Sequence, residues 1–324
     1  MRAIQVSELG GPEVLRPVET EAPRPGPGEV AVDVVWAGVN FAEVKARSEG
    51  YRVTSLPFVP GLEVSGRVRE LGEGVEGFAV GQEVAAMSGG GGYAEVAVVP
   101  AATVFPVPEG VGLRAAATLP TVLPTAHALV HEVGRLRAGE SVLVQGAAGG
   151  VGTAVGQIAR LAGAGAVYGV VSSEAKAAYA REHGYDDVFL TDSFAEDVRR
   201  ATGGRGVDLV LDPVGGETLR RGLEALALFG RLVSYGNAGG EEPWRVGQPE
   251  LYPGARSVAG FSILGLASGA PQALRDLATR AFALAADGRV RLPVTAEFPL
   301  SEAAQAHHLM ESRTSTGKLL LRVG

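Results

Sequence analysis

The chain opens with short stretches in which apolar and polar residues alternate or β-branched residues cluster. Val30-Ala31-Val32-Asp33-Val34-Val35, Glu63 to Val68 and Glu95 to Val98 have this strand character. Turn formers separate them: Gly10-Gly11-Pro12, Pro23 to Gly28, and Ser88-Gly89-Gly90-Gly91-Gly92-Tyr93. The polar, glycine-spaced run Gly72 to Gly81 predicts a hairpin connection. The first hundred residues thus predict a β-rich unit with few helices.

From about Ala115 the period changes. Ala115 to Val133 carries apolar residues at helical spacing, broken by Pro120 and Pro124. Strand Ser141 to Gln145 follows, then helix Gly152 to Ala162, strand Ala166 to Val171 and helix Ser173 to His183. Strand Asp187 to Leu190, helix Phe194 to Ala201, strand Val207 to Leu211, helix Glu217 to Leu226 and strand Arg231 to Tyr235 continue the series. Such alternation predicts an α/β fold with a doubly wound parallel sheet. Ser257 to Leu264 reads as a further strand. Gln272 to Asp287 and Ser301 to Ser312 read as helices, and Gly317 to Val323 as a closing strand. The last strands resemble the β-rich start. The simplest layout is therefore a nucleotide domain at 123–265 inserted between the two parts, 1–122 and 266–324, of a β domain. A length of 324 residues suits two domains.

Composition narrows the function. A formal net charge of −7 argues against a phosphate-backbone binder, so no nucleic-acid partner is expected. The absence of cysteine removes disulfides and every thiolate-based zinc site. The start Met1-Arg2-Ala3-Ile4-Gln5-Val6 reads as a strand rather than a signal peptide. No run approaches the ~18 apolar residues of a membrane span. A cytoplasmic protein is the expectation.

The strongest motif is Gly146-Ala147-Ala148-Gly149-Gly150-Val151-Gly152, placed between the apolar strand Val142-Leu143-Val144 and an apolar-faced helix. Glycines there allow a tight turn and close approach of a pyrophosphate, which the helix N-terminus receives with free N–H groups. Gly149, Gly150, Val151 and Gly152 are the candidate contacts. A ligand-free βα turn is the plain alternative. NAD sites usually carry an acid ~20 residues past the glycines. Counting from Gly152 reaches Ser172, followed by Ser173, Glu174 and Lys176. Two hydroxyls and a lysine favour a 2′-phosphate, so the expected cofactor is NADPH. Glu174 then suits the first helical turn. A solvated surface role is the alternative for Lys176.

The chain resembles the medium-chain dehydrogenase/reductase superfamily, and within it the zinc-independent quinone oxidoreductases, over essentially its full length. The residues that carry the likeness are Gly38 to Tyr51, Pro57-Phe58-Val59-Pro60-Gly61-Leu62-Glu63, and Gln145 to Gly152. Gly236, Asn237 and Glu311-Ser312-Arg313 match late cofactor contacts. The resemblance implies a Rossmann sheet inserted in a GroES-like catalytic domain. Zinc alcohol dehydrogenases of this superfamily place Cys near the position of Asn40 and His at the place of Leu62, so no metal is expected. Family members often have Asp at Glu43, Tyr at Lys45, Tyr at Thr191 and Ser at Pro213, and these departures put the corresponding contacts in doubt.

Without a metal to polarise an alcohol, reduction of an electron-poor acceptor is the easier reaction, and quinones and enones fit. Asn40 is expected to bond the nicotinamide ribose or the substrate oxygen, or else to form a local Asx turn. Tyr51 is a candidate proton donor or a packed aromatic at the rim. Thr125, at the expected domain junction, is a candidate nicotinamide contact. Lys45 is read as a surface lysine in preference to a cleft residue, and His307-His308 as packing or surface. Specificity is expected in the loops Tyr51 to Phe58, Met87 to Tyr93 and Glu241 to Tyr252, with Glu241-Glu242-Pro243-Trp244-Arg245 on the rim or the surface. The leading reading is an NADPH:quinone reductase. An enoyl or enone reductase and a non-catalytic NADPH-binding protein are the alternatives. Ser257 to Ile263 resembles the strand that pairs subunits in relatives, which predicts a homodimer.

Overall fold

In the computed structural model, which describes residues 1–240 and 245–324, the chain forms two compact units. One comprises Met1–Pro124 with Leu266–Gly324, the other Thr125–Gly265. Glu241 to Trp244, named above as rim candidates, lie outside the described residues.

The first unit is built on β1 (Arg2–Val6), β2 (Leu15–Glu19), β3 (Glu29–Val39), β4 (Glu63–Leu71), β5 (Glu83–Met87), β6 (Val96–Pro100) and β7 (Val104–Pro106). A short helix α1 (Phe41–Glu49) follows β3, and α2 (Leu113–Ala116) follows β7. The polar run after Leu71 joins β4 to its antiparallel partner β5, as its glycine spacing predicts. Inward Val30, Val32, Val34, Val64, Val68, Val84 and Val99 form the core with apolar residues from the C-terminal segment.

The second unit begins within α3 (Val122–His127) and a π-helical turn, Ala128–Val133. It continues as β8 (Ser141–Gln145), α4 (Gly150–Leu161), β9 (Ala166–Val171), α5 (Glu174–Glu182), β10 (Asp187–Leu190), α6 (Phe194–Ala201), β11 (Val207–Asp212), α7 (Gly216–Glu224), β12 (Leu226–Ser234), α8 (Gln248–Leu251) and β13 (Ser257–Gly260). The strands pair in parallel in the order β10-β9-β8-β11-β12-β13. Val142, Leu143, Val144, Leu209, Val210 and Leu211 are fully buried, as helix-covered parallel strands must be.

Three sequence expectations need correction. The strand expected from Arg231 begins at Leu226, the expected end of the preceding helix, because Leu226 already pairs with Val207 of β11. The strand expected over Ser257 to Leu264 stops at Gly260, because Ser262 Oγ accepts the Gly265 N–H and opens helix α9 (Ile263–Gly269). The helix expected over Ser301 to Ser312 starts later, after a 3-10 turn. The chain returns through α10 (Pro271–Ala286), β14 (Val294–Pro299), α11 (Ala303–Glu311) and β15 (Lys318–Arg322). β15 pairs antiparallel with the C-terminal half of β3, setting Leu319 opposite Val39.

Candidate active site

In the second unit, the predicted cofactor residues gather at the carboxyl ends of the parallel strands. Gly146 leaves β8 with φ +67°, and Gly149 is the N-cap of α4. A glycine cap offers no side chain, so the first amides of α4 stay available to a ligand. A Cβ on Gly152 would lie 2.4 Å from Gly146 O and 2.7 Å from Ala147 Cα, whereas one on Gly149 would meet only Gly146 O at 3.4 Å. Gly152 thus closes the turn from inside, while Gly149 faces open space. Ser172 and Ser173 are exposed just past β9, and Ser173 caps α5; Lys176 is half-buried one turn on. Gly236 and Asn237 follow β12 at the same edge of the sheet. Their loop is tied to the one after β11, since Ala238 N–H and Gly239 N–H donate to the carbonyls of Pro213 and Val214.

Asp212 anchors that second loop. Its Oδ1 accepts the N–H groups of Val214 (2.8 Å) and Gly215 (2.6 Å). Burial pushes its carboxyl up to about 6, against the pull of those two amides. Asp212 Oδ2, and Gln145 Nε2 on the adjoining strand β8, are buried without a partner among the described residues. This edge therefore carries open amides and unspent polar atoms, which fits a phosphate-bearing dinucleotide.

In the first unit, Asn40 stands between β3 and α1. Its N–H donates to Glu43 Oε2 (2.8 Å), so Glu43 closes the helix start, and the Glu43 N–H goes to the Asn40 carbonyl. The Asn40 side chain enters a buried polar cluster. Lys318 Nζ donates to Glu63 Oε1 (2.6 Å), Asn40 Oδ1 (2.8 Å) and Val39 O (3.2 Å). Asn40 Nδ2 donates to Glu63 Oε1 (3.1 Å) and weakly to Glu43 Oε1 (3.4 Å). Glu63 Oε2 accepts the Thr121 N–H, and Glu43 Oε1 the Leu62 N–H. Burial pushes the Glu43 carboxyl up to about 7, although the Leu62 N–H and the Lys318 ammonium pull it down. Gly38 makes room for Glu63, because a Cβ there would sit 2.4 Å from Glu63 Oε1.

The other predicted residues fall elsewhere. Tyr51 lies beyond the C-cap Gly50 of α1, a nine-residue helix, so ~13 Å of helix separates it from Asn40. Tyr51 is 48% exposed. Lys45 pairs with Glu49 on the same helix, and its side chain is only 15% exposed, so it is more covered than the surface lysine expected above. Arg313 is exposed past α11 with φ +56°, and neighbouring Glu311 pairs with the buried Arg47. Thr125 is buried on α3. His307 is buried beside Tyr93, 3.2 Å from its hydroxyl, while His308 is exposed.

Comparison with known proteins places these features in a lineage. Residues 26–109 match the alcohol dehydrogenase GroES-like domain, and residues 150–280 match the zinc-binding dehydrogenase family. The quinone oxidoreductase of Rattus norvegicus is 34% identical over 327 residues, covering 99% of this chain and 97% of that protein. The chain belongs to the medium-chain dehydrogenase/reductase superfamily, in its quinone oxidoreductase-like family. Membership makes it an oxidoreductase. The Escherichia coli quinone oxidoreductase complexed with NADPH superposes with a TM-score of 0.93 at 30% identity, all of each chain being covered. A mycocerosic acid synthase-like polyketide synthase of Mycobacterium tuberculosis is 35% identical over 99% of this chain, and the chain spans 15% of that protein's length.

The zinc in the family description does not fit these residues. The places of the metal ligands hold Asn40 and Leu62, and the sequence has no thiolate. The Lys318 ammonium already draws on Asn40 and Glu63, so a divalent cation there would face a like charge. Among the described residues no group of three or more His, Cys, Asp or Glu could hold a metal.

Sequence reasoning missed Lys318 and Glu63 as members of the site. Glu63 was visible only as the end of a family motif. Lys318 gave no local signal, because its partners lie 255 and 278 residues away.

Proposed function

We propose that the chain uses NADPH to reduce quinones by hydride transfer without a metal. The observation that carries this reading is the open glycine turn at the start of α4 beside Ser172, Ser173 and Lys176, with no acid at the end of β9. The NADPH found with the Escherichia coli relative supports the cofactor. The near-complete coverage of the rat quinone oxidoreductase supports the acceptor.

In this reading Gly149, Gly150, Val151 and Gly152 hold the pyrophosphate, and Ser172, Ser173 and Lys176 take the 2′-phosphate. Gly236, Asn237, Thr125 and Arg313 complete the cofactor contacts, and Asn40 holds a polar group near the reacting ring. When bound, the reduced nicotinamide supplies hydride. The protein's share is then orientation and exclusion of water. A quinone also needs a proton, for which Tyr51 is the proposed donor; its exposure leaves water as the source that restores it. β13 is the edge strand of its sheet, and through Ser257–Gly260 it is proposed to pair with a second copy.

An enoyl reductase is the second reading, favoured by the 35% identity to the polyketide synthase along 99% of this chain. Steady-state NADPH oxidation with a quinone, a conjugated enone and an enoyl thioester separates the two. Turnover of the quinone supports the first reading, and turnover of the enone or thioester alone replaces it with the second. Tight NADPH binding with no oxidation by any acceptor would leave a binding protein. No described helix is long and apolar enough to cross a membrane.

A further inference from the structure

The sequence counts twenty-nine Lys and Arg residues, of which three are lysines: Lys45, Lys176 and Lys318. Arginine supplies nearly every cation, so a lysine inside the fold is informative. Lys318 is that lysine. Its side chain is 3% exposed and its partner Glu63 is at 0%. A compact ammonium with three donors meets three acceptors here, Glu63 Oε1, Asn40 Oδ1 and Val39 O. A planar guanidinium would not match that tripod.

We propose that Lys318 is a positioning residue: with Glu63 it fixes the Asn40 amide so that Asn40 serves its ligand only as a hydrogen-bond acceptor. The argument is electrostatic. Asn40 Oδ1 faces the ammonium, and Nδ2 faces the Glu63 carboxylate and, more distantly, Glu43 Oε1. A flipped amide would set its NH₂ against the Lys318 cation and its oxygen against the Glu63 carboxylate, so one orientation is enforced. Nδ2 is then committed to Glu63 Oε1 and, weakly, to Glu43 Oε1. The Glu43 N–H is spent on the Asn40 main-chain carbonyl, which leaves the second lone pair of Oδ1 as the amide's remaining capacity. Asn40 is half-buried, so this lone pair is within reach of a ligand. Its partner must be a donor, and of the two partners the sequence left open, the ribose hydroxyl of the cofactor can donate. A quinone or enone carbonyl, an acceptor itself, is not held by Asn40. Sequence reasoning left those two partners open, and the cluster selects between them. The choice of partner rests on the oxidoreductase reading; the fixed orientation does not.

The two parts are tested separately. The sequence holds two asparagines, Asn40 and Asn237, so asparagine-labelled protein gives two side-chain amide signals, assigned by Asn40→Ala. In the cofactor-free wild type the Asn40 amide protons exchange slowly. In the charge-neutral variant Lys318→Met/Glu63→Gln, with its fold checked by circular dichroism, exchange accelerates at least about tenfold. Rapid exchange in the wild type, or no change in a folded variant, overturns the positioning role. If the variant does not fold, the wild-type signal decides alone. In steady-state kinetics the same variant raises KM for NADPH by about tenfold and leaves KM for the acceptor unmoved. In an Asn40→Ala background that rise disappears. Additive effects, or a rise in the acceptor KM instead, overturn the assignment of a hydroxyl partner. A wild type that neither binds nor oxidises NADPH refutes the oxidoreductase reading and leaves the exchange experiment intact.

Discussion

Gly149 and Gly152 lie three residues apart in one turn, yet the structure assigns them different losses on substitution by alanine. At Gly152 the new methyl would sit 2.4 Å from Gly146 O and 2.7 Å from both Ala147 Cα and Ala147 O. All three atoms are backbone, so no side chain can swing aside. Relief requires the turn to move, at an overpacking cost of ~1–3 kcal/mol, or roughly 3–10 °C in the melting temperature of a domain this size. At Gly149 the backbone is extended, with φ −79° and ψ 173°, and the nearest atom is Gly146 O at 3.4 Å. Alanine fits there sterically, and the free protein loses about 0.5–1 kcal/mol because glycine exceeds alanine as a cap. That methyl does occupy the space in front of the α4 amides, where a pyrophosphate must approach. Gly149→Ala should therefore raise the NADPH dissociation constant at least about tenfold, equivalent to ~1.4 kcal/mol. Thermal melts without cofactor, combined with fluorescence titration of NADPH, read both effects. Gly152→Ala should lower the melting temperature and weaken binding; Gly149→Ala should weaken binding with a smaller loss of melting temperature. A Gly149→Ala protein that binds NADPH like wild type would show that the pyrophosphate does not rest on this turn.

Three further outcomes follow from the same structure. Lys176→Ala should raise KM for NADPH by about tenfold and leave KM for NADH unchanged, as loss of one phosphate-directed charge requires; equal effects on both would remove Lys176 from the 2′-phosphate site. His307 is pushed down to about 3 by burial and by the nearby Arg47 cation. Its folded value lies below the unfolded one of ~6.5, so the unfolded chain binds the extra proton, and the associated stability is present above pH 6.5 and lost as pH falls toward 3. Urea midpoints from pH 7 to pH 4 should fall less steeply for His307→Phe than for wild type, and parallel curves would contradict the assignment. Ala259→Lys places a charge on the free edge of β13 and should convert a dimer to a monomer in sedimentation at micromolar concentration; an unchanged dimer would move the interface elsewhere.

Much of the second unit was legible because its signals are local. Buried parallel strands read as continuous apolar runs, and the glycine turn is contiguous. Helix α1 was not legible as a helix. Its buried residues are Glu43, Val44 and Arg47, so two of the three inward positions are charged and the apolar stripe is missing. Asn40 could be named from a motif, but its environment could not, since Lys318 and Glu63 reach it only through the pairing of β15 with β3 and of β3 with β4. The early end of β13 was available in principle, because Ser262 before Ile263 is a capping residue. The apolar character of the segment outweighed that signal.

The place of β15 also orders events during folding. The N-terminal half of β3 pairs with β6, which lies in the same N-terminal segment, but its C-terminal half waits for residues near Leu319. The buried guanidinium of Arg47 waits equally for Glu311. A chain emerging residue by residue can complete the continuous second unit while the first still carries an open sheet edge and an unmatched internal acid, Glu63. Long-range closure of this kind is slow, and unpaired edges invite aggregation. The vulnerable species in biosynthesis is thus a half-closed first unit, and β15 is the strand that seals it.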